Sequence, residues 1–221
     1  MPDIELLLTL MTIATVAGWV DAIAGGGGVI ILPSLLMAGL PPLQALATNK
    51  LQASFGSGTA TLNFLRQGQL NWRGAMLAVA CTFIGAACGT HAVRWLPREA
   101  LNTLIPMLLI GLALFLLFGT RNIQVARSPR LSNAAFALLV GSSIGFYDGF
   151  FGRGTGTFFA VAHMMLRGQS MVTATANTKL LNFTSNLAAL LFFMFSGQVQ
   201  WIIGLTMAVG QILGAWIGST M

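Results

Sequence analysis

The sequence predicts an all-α protein of the membrane: a polytopic helix bundle built from two repeats, with broken or re-entrant helices. Three observations predict it. Hydrophobic residues make up 56% of the chain and charged residues only 7%, where a soluble domain carries roughly 25% charged residues, and mean hydropathy is +0.81. Apolar runs recur at the length a bilayer requires, about 20 residues. Two longer runs are interrupted by glycine-rich motifs that resemble each other.

The first element, residues 4–38, is too long for one simple helix and breaks at DAIAGGGG, residues 21–28. Glycine costs about 1 kcal/mol against alanine inside a helix. Gly25, Gly26, Gly27 and Gly28 together therefore mark two helical pieces around a break. GLPPL at 39–43 is a loop, and spans follow at 44–65, 74–93 and 100–119. Loops at 66–73, 94–99 and 120–130 carry arginines, as expected for anchors at lipid head groups. Residues 131–166 are again too long and break at GFYDGFFGRGTG, residues 145–156. A connection at 166–170 leads to spans at 171–195 and 201–221. The acidic start, MPDIE, argues against a cleaved signal peptide.

The two halves match in order. Gly18, Asp21 and Gly25 fall over Gly145, Asp148 and Gly152, an offset of 127. ATNKLQ at 47–52 falls over ANTKLL at 176–181, with Lys50 over Lys179, an offset of 129. Trp72, Gly85 and Gly89 fall over Trp201, Gly214 and Gly218 at that same offset. The expected division within one membrane domain is a first repeat at 1–120 and an incomplete second at 131–221. Helix 100–119 has no partner before Met221, so a last span is expected to be missing, its place being about 229–248. If each broken stretch folds back as a hairpin, the repeats are inverted. Arg66, Arg73, Arg121, Arg127, Arg130 and Arg167 then share one side against Arg94 and Arg98, the arrangement that the positive-inside rule prefers over parallel repeats.

Composition also excludes functions. The net charge of +6 belongs to these anchors and is no nucleic-acid signal. There is no HExxH, GxSxG or P-loop lysine, and His91 and His163 have no neighbours at metal-ligand spacing. No metal, no cofactor and no enzyme chemistry are expected. Cys81 and Cys88 lie roughly 10 Å apart on one helix, too far for a disulfide, and read as small buried residues.

What remains is the chemistry of the breaks. Irregular backbone at membrane depth is tolerated where protein buries it or a wet cavity is lined by it. Helices restarting after the glycines aim amides and dipole at the break, a ready anion site. The second break adds Arg153, Gly154 and the hydroxyl of Thr155. Lys50 and Lys179 are the only lysines, and an intramembrane charge is a functional hypothesis by default. Asn49, Asn177 and Thr178 stand beside them as neutral hydrogen-bonding groups. Together these make an all-donor site that suits a small oxyanion. Asp21 and Asp148 are counter-ions, caps or proton carriers. Transporters place such discontinuous helices at equivalent positions of two repeats.

On GWVDAIAGGGGVIILPSLL, ATNKLQASFGSGTATLNF, GFYDGFFGRGTGTFF and ANTKLLNFTSN, the chain resembles the TauE/SafE sulfite exporter family over essentially its whole length. Arg153 stands where that family more usually has proline. The resemblance implies transport of sulfite, an organosulfonate or a related sulfur compound across a bacterial inner membrane. The partners expected are a small anionic substrate and the lipid bilayer, with no nucleic acid, and a homo-oligomer is admitted. Two other classes compete. An intramembrane aspartyl protease would use Asp21 and Asp148, but the GxGD motif is absent and the lysines go unexplained. An uncoupled anion channel or structural membrane subunit is separated from a coupled carrier only by flux measurements.

Overall fold

The computed structural model describes residues 2–24, 27–114, 128–152 and 154–220. Every regular element among them is helical: α1 (Ile4–Ala24), α2 (Gly28–Met37), α3 (Pro42–Arg66), α4 (Trp72–Arg94), α5 (Arg98–Leu114), α6 (Asn133–Phe136), α7 (Ser142–Phe150), α8 (Thr155–Arg167), α9 (Met171–Phe195) and α10 (Trp201–Thr220). A π-helical turn, Ala137–Gly141, joins α6 to α7 without a break, a local widening that no sequence signal announced.

The long elements are interrupted where the glycines fall, between α1 and α2 and between α7 and α8. Caps set the other boundaries. Pro42 opens α3 with its φ preset and no N–H to waste. Asn71 accepts from the Gly74 amide to start α4, and Ser170 accepts from the Thr173 amide to start α9. Gly168, in the left-handed region at φ 62°, closes α8.

Among the described residues four helices are long and apolar enough to cross a membrane: Ile4–Ile23, Trp72–Arg94, Met171–Phe195 and Trp201–Thr220. The expected span at 44–65 is a 25-residue helix, yet it is not among these four. Lys50, Gln52, Asn49 and Asn63 lower its hydropathy, and all four are buried. Part of the expected span 100–119 lies outside the described residues.

α3 and α9 pack against each other at the centre. α10 packs on α3 and α4 on α9; α1 then lies along α10, and α7 along α4. Small residues set these approaches. A Cβ on Gly214 or Gly218 would overlap carbonyls of α1, and one on Gly85 or Gly89 would overlap carbonyls of α7, so the backbones meet directly. Outside, Ile84, Leu205, Val209 and Trp216 are exposed, while the interior buries Lys50, Asp148 and Lys179. Apolar surface around a charged interior is the arrangement a bilayer selects. Cys81 is buried, but Cys88 is exposed on the outer face of α4, a correction to the reading of two buried thiols.

Candidate functional site

Both breaks converge on one polar cavity of about 30 Å³, room for roughly two waters. Gly28 at the start of α2 lines it, and so do Gly154 and Thr155 at the start of α8. The amino ends of two short helices therefore face a common space, where their unsatisfied amides and dipoles favour negative charge. The chain turns into α8 through Gly152 at φ 73° and Gly154 at φ 69°. At Gly152 a Cβ would also meet the Lys50 Nζ, 2.6 Å away.

The lysines reach this centre from α3 and α9, and each is matched by a carboxylate of the opposite half. Lys50 Nζ donates to Asp148 Oδ1 at 2.9 Å and to Asn186 Oδ1 at 3.0 Å. Lys179 Nζ donates to Asp21 Oδ2 at 3.0 Å and to the Asp21 carbonyl near the carboxyl end of α1, where a cation also suits the dipole. The two lysines and two aspartates are thus paired charge for charge, and of the roles open to the aspartates this geometry displays that of counter-ion.

The two pairs live in different surroundings. Asp148 is wholly buried, and besides Lys50 it accepts from the hydroxyls of Thr155, at 3.0 Å, and Ser185. The Asp21 side chain is 20% exposed and lines the cavity. By the offsets between the halves, Thr155, Asn182 and Ser185 correspond to Gly28, Ala53 and Gly56. The two hydroxyls that hold Asp148 are replaced by glycines at the equivalent positions around Asp21, and Asp21 lines the cavity where Asp148 does not.

Of the other expected residues, Asn49 lines the cavity and accepts from Gln52 Nε2 at 2.7 Å. Gly27 precedes α2, packed against Ala17 and Asp21. Thr178 is buried with its hydroxyl unpartnered and does not line the cavity. Asn177 is brought elsewhere: its amide donates to Gln169 Oε1 at 3.1 Å, on the wall of a second cavity. Gly25, Gly26 and Arg153 lie outside the described residues. Sequence reasoning missed Gln52, Asn182, Asn186 and Gln211, which complete the wall. Helical spacing could have found the asparagines, three and seven residues after Lys179 on one face. Gln211 is a lone amide inside an apolar span.

A family model for the sulfite exporter TauE/SafE matches residues 10–221. The chain belongs to that family. Relatives of this TauE/SafE chain include "Probable membrane transporter protein ORF9" of Sinorhizobium sp, 44% identical over 97% of this chain and 82% of its own length. "Probable membrane transporter protein YfcA" of Escherichia coli K12 is 43% identical over 98% of this chain and 80% of its own length. A further "Probable membrane transporter protein", from Haemophilus influenzae, is 43% identical over 99% of this chain and 86% of its own length. No solved structure matches the chain at a significant level. Family and fold together make it a multi-pass membrane protein of a transporter family, taking a small-molecule substrate.

Proposed function

We propose that this TauE/SafE chain carries a small oxyanion, sulfite, an organosulfonate or a related sulfur compound, across a bacterial inner membrane, coupled to an ion. The observation that supports it is the meeting of two helix amino ends and the Asp21 carboxylate at one cavity, with Asp21 paired to the buried Lys179. A carrier of anions needs positive potential at the centre when loaded and little net charge when empty. Lys179 supplies both conditions: its ammonium rests on Asp21, and an anion entering the cavity competes for it. A proton on Asp21 would release Lys179 to the substrate, which couples proton and anion in one step. Asp148, held by Lys50, Thr155 and Ser185, is too well satisfied for that exchange and anchors α7 to α3.

The same reading takes the chain as two inverted repeats. α1 on α10 corresponds to α7 on α4, and Asp21–Lys179 corresponds to Asp148–Lys50.

Sulfite and ethanesulfonate flux in proteoliposomes, with and without a pH gradient, tests the proposal. Lys179→Met and Asp21→Asn should each sharply weaken gradient-driven uptake, while Arg66→Met, a change at the exposed end of α3 where water and salt screen it, should leave it intact. A lost charged hydrogen bond is worth on the order of 2 kcal/mol, about thirtyfold in affinity. Well-folded Lys179→Met protein with wild-type flux of both anions would overturn the assignment, and flux indifferent to pH would leave an uncoupled channel.

A further inference from the structure

The second cavity, of about 340 Å³, opens between the amino ends of α4, α6 and α9 and the carboxyl end of α8. That volume lies in the range of sites for small organic ligands, an order of size above the central cavity. Its wall carries one charged side chain, Arg167. The chain has five acids, Asp3, Glu5, Asp21, Glu99 and Asp148, and none of them lines it. The Arg167 guanidinium is fixed by donating to the Leu131 carbonyl and to Asn133 Oδ1. A guanidinium has five N–H groups, so donors remain for a ligand.

His163 is the second observation. It is 5% exposed, lies on this wall, and neither ring nitrogen has a hydrogen-bond partner. Its ring is held against Phe136 at 4.6 Å between centroids. Leaving a buried polar group unpaired is costly, and a ligand in the cavity removes the cost.

The place equivalent by the repeat shows what this site looks like without a ligand to hold. By the offsets, Asn133 and Ala78 correspond to Leu6 and Met207. Met207 is fully buried in the main apolar core, and Leu6 packs against that core. One place is filled with hydrocarbon; the other is left open and lined with amides, a histidine and an arginine.

We propose that this cavity is a second anion site, for a small organic anion with an oxyanion head and a short uncharged stem. The head sits against Arg167 and His163, and the stem against Phe136, Leu77 and Leu181. His163 is eight residues from Thr155 on α8, roughly 12 Å from the central cavity, so the site is a separate one, standing at the end of the bundle that also carries Arg66, Arg73 and Arg130. An anionic lipid head group shares this head chemistry; the proposal is for the soluble anion.

The test reads the cavity locally, so its failure is distinct from failure of the transport reading. Cys81 and Cys88 are replaced by alanine and Ala78, on the cavity wall, by cysteine. The full chain is placed in phosphatidylcholine nanodiscs. It is then labelled with the anionic 2-sulfonatoethyl and the cationic 2-(trimethylammonium)ethyl methanethiosulfonates, each rate normalised to that of free mercaptoethanol. The anionic reagent should be favoured about tenfold or more, as in a cleft lined by one sign of charge. Free ethanesulfonate should slow the labelling. Arg167→Gln should erase the preference, and His163→Phe, which keeps an aromatic ring, should erase the protection. A normalised preference of about one or below, or protection unchanged by His163→Phe, would overturn the proposal. So would phosphatidylglycerol blocking the label where ethanesulfonate does not, which assigns the cavity to a lipid head group.

Discussion

Removing Lys50 should damage the fold far more than removing its counterpart Lys179. In Lys50→Met the buried Asp148 carboxylate keeps, among the described residues, the hydroxyls of Thr155 and Ser185. Breaking a buried pair from one side costs about 3–5 kcal/mol, because the other charge is left uncompensated. In a chain of this size each kcal/mol moves Tm by about 2–4 °C, so the loss should reach roughly 6–20 °C. In Lys179→Met the stranded carboxylate is Asp21, with one-fifth of its side chain exposed and a polar cavity beside it. Water can solvate it there, and the cost should fall between the surface and buried limits, about 1–2 kcal/mol. Thermal unfolding of detergent-solubilised protein, followed by tryptophan fluorescence, measures both. The double variant Lys50→Met/Asp148→Asn should recover most of the loss, because no unpaired charge remains. If Lys179→Met is as destabilising as Lys50→Met, or the double variant is no better than the single, the reasoning from burial fails.

Two further outcomes follow from the packing and the proposed topology. Gly214→Leu and Gly85→Leu should each push apart a helix pair, α10 from α1 and α4 from α7, and cost at least the 1–3 kcal/mol of overpacking; Gly197→Ala, at φ 65° with open space where its Cβ would lie, should cost only about 1–2 kcal/mol of left-handed strain, and denaturation midpoints rank the three. For inverted repeats, single cysteines placed at 68 and 96 in a chain freed of Cys81 and Cys88 should differ in labelling by an impermeant maleimide from outside the cell, with reaction at 96 alone; reaction at both, or only at 68, removes the hairpin arrangement.

Much of the fold could be read before the structure, because in a membrane chain two signals are loud. Bilayer thickness fixes the length of apolar runs, and breaks in them must be paid for by something; the glycine runs at 25–28 and at 152–156 therefore stood out. The span expected at 44–65 is found as α3, although its polar residues keep its hydropathy below that of the four long apolar helices. Its polar residues are hidden by α9 and α10, and no local scale knows what a helix will be covered by. The π-turn at Ala137–Gly141 was equally silent, since it depends on how α6 and α7 follow α4.

The site was legible as a set of charges and illegible as a set of pairs. Matching the halves equates Lys50 with Lys179 and Asp21 with Asp148, and the motifs put Asp21 and Lys50 in one half. Nothing in that arithmetic says that each lysine will take the aspartate of the other half. The crossing comes from packing: α3 and α9 lie against each other at the centre, so a side chain leaving α3 meets the break of the second half, and one leaving α9 meets the break of the first. The difference between the pairs, by contrast, was written in the sequence all along. Ser185 and Asn182 stand where the first half has Gly56 and Ala53. Ser185 gives Asp148 a hydroxyl at one break, whereas at the other the place of that side chain, at Gly56, is taken by Gln211. Once the pairs are known to cross, the exchange of Ser185 for Gly56 separates the carboxylate that is gripped, Asp148, from the one that borders the cavity, Asp21.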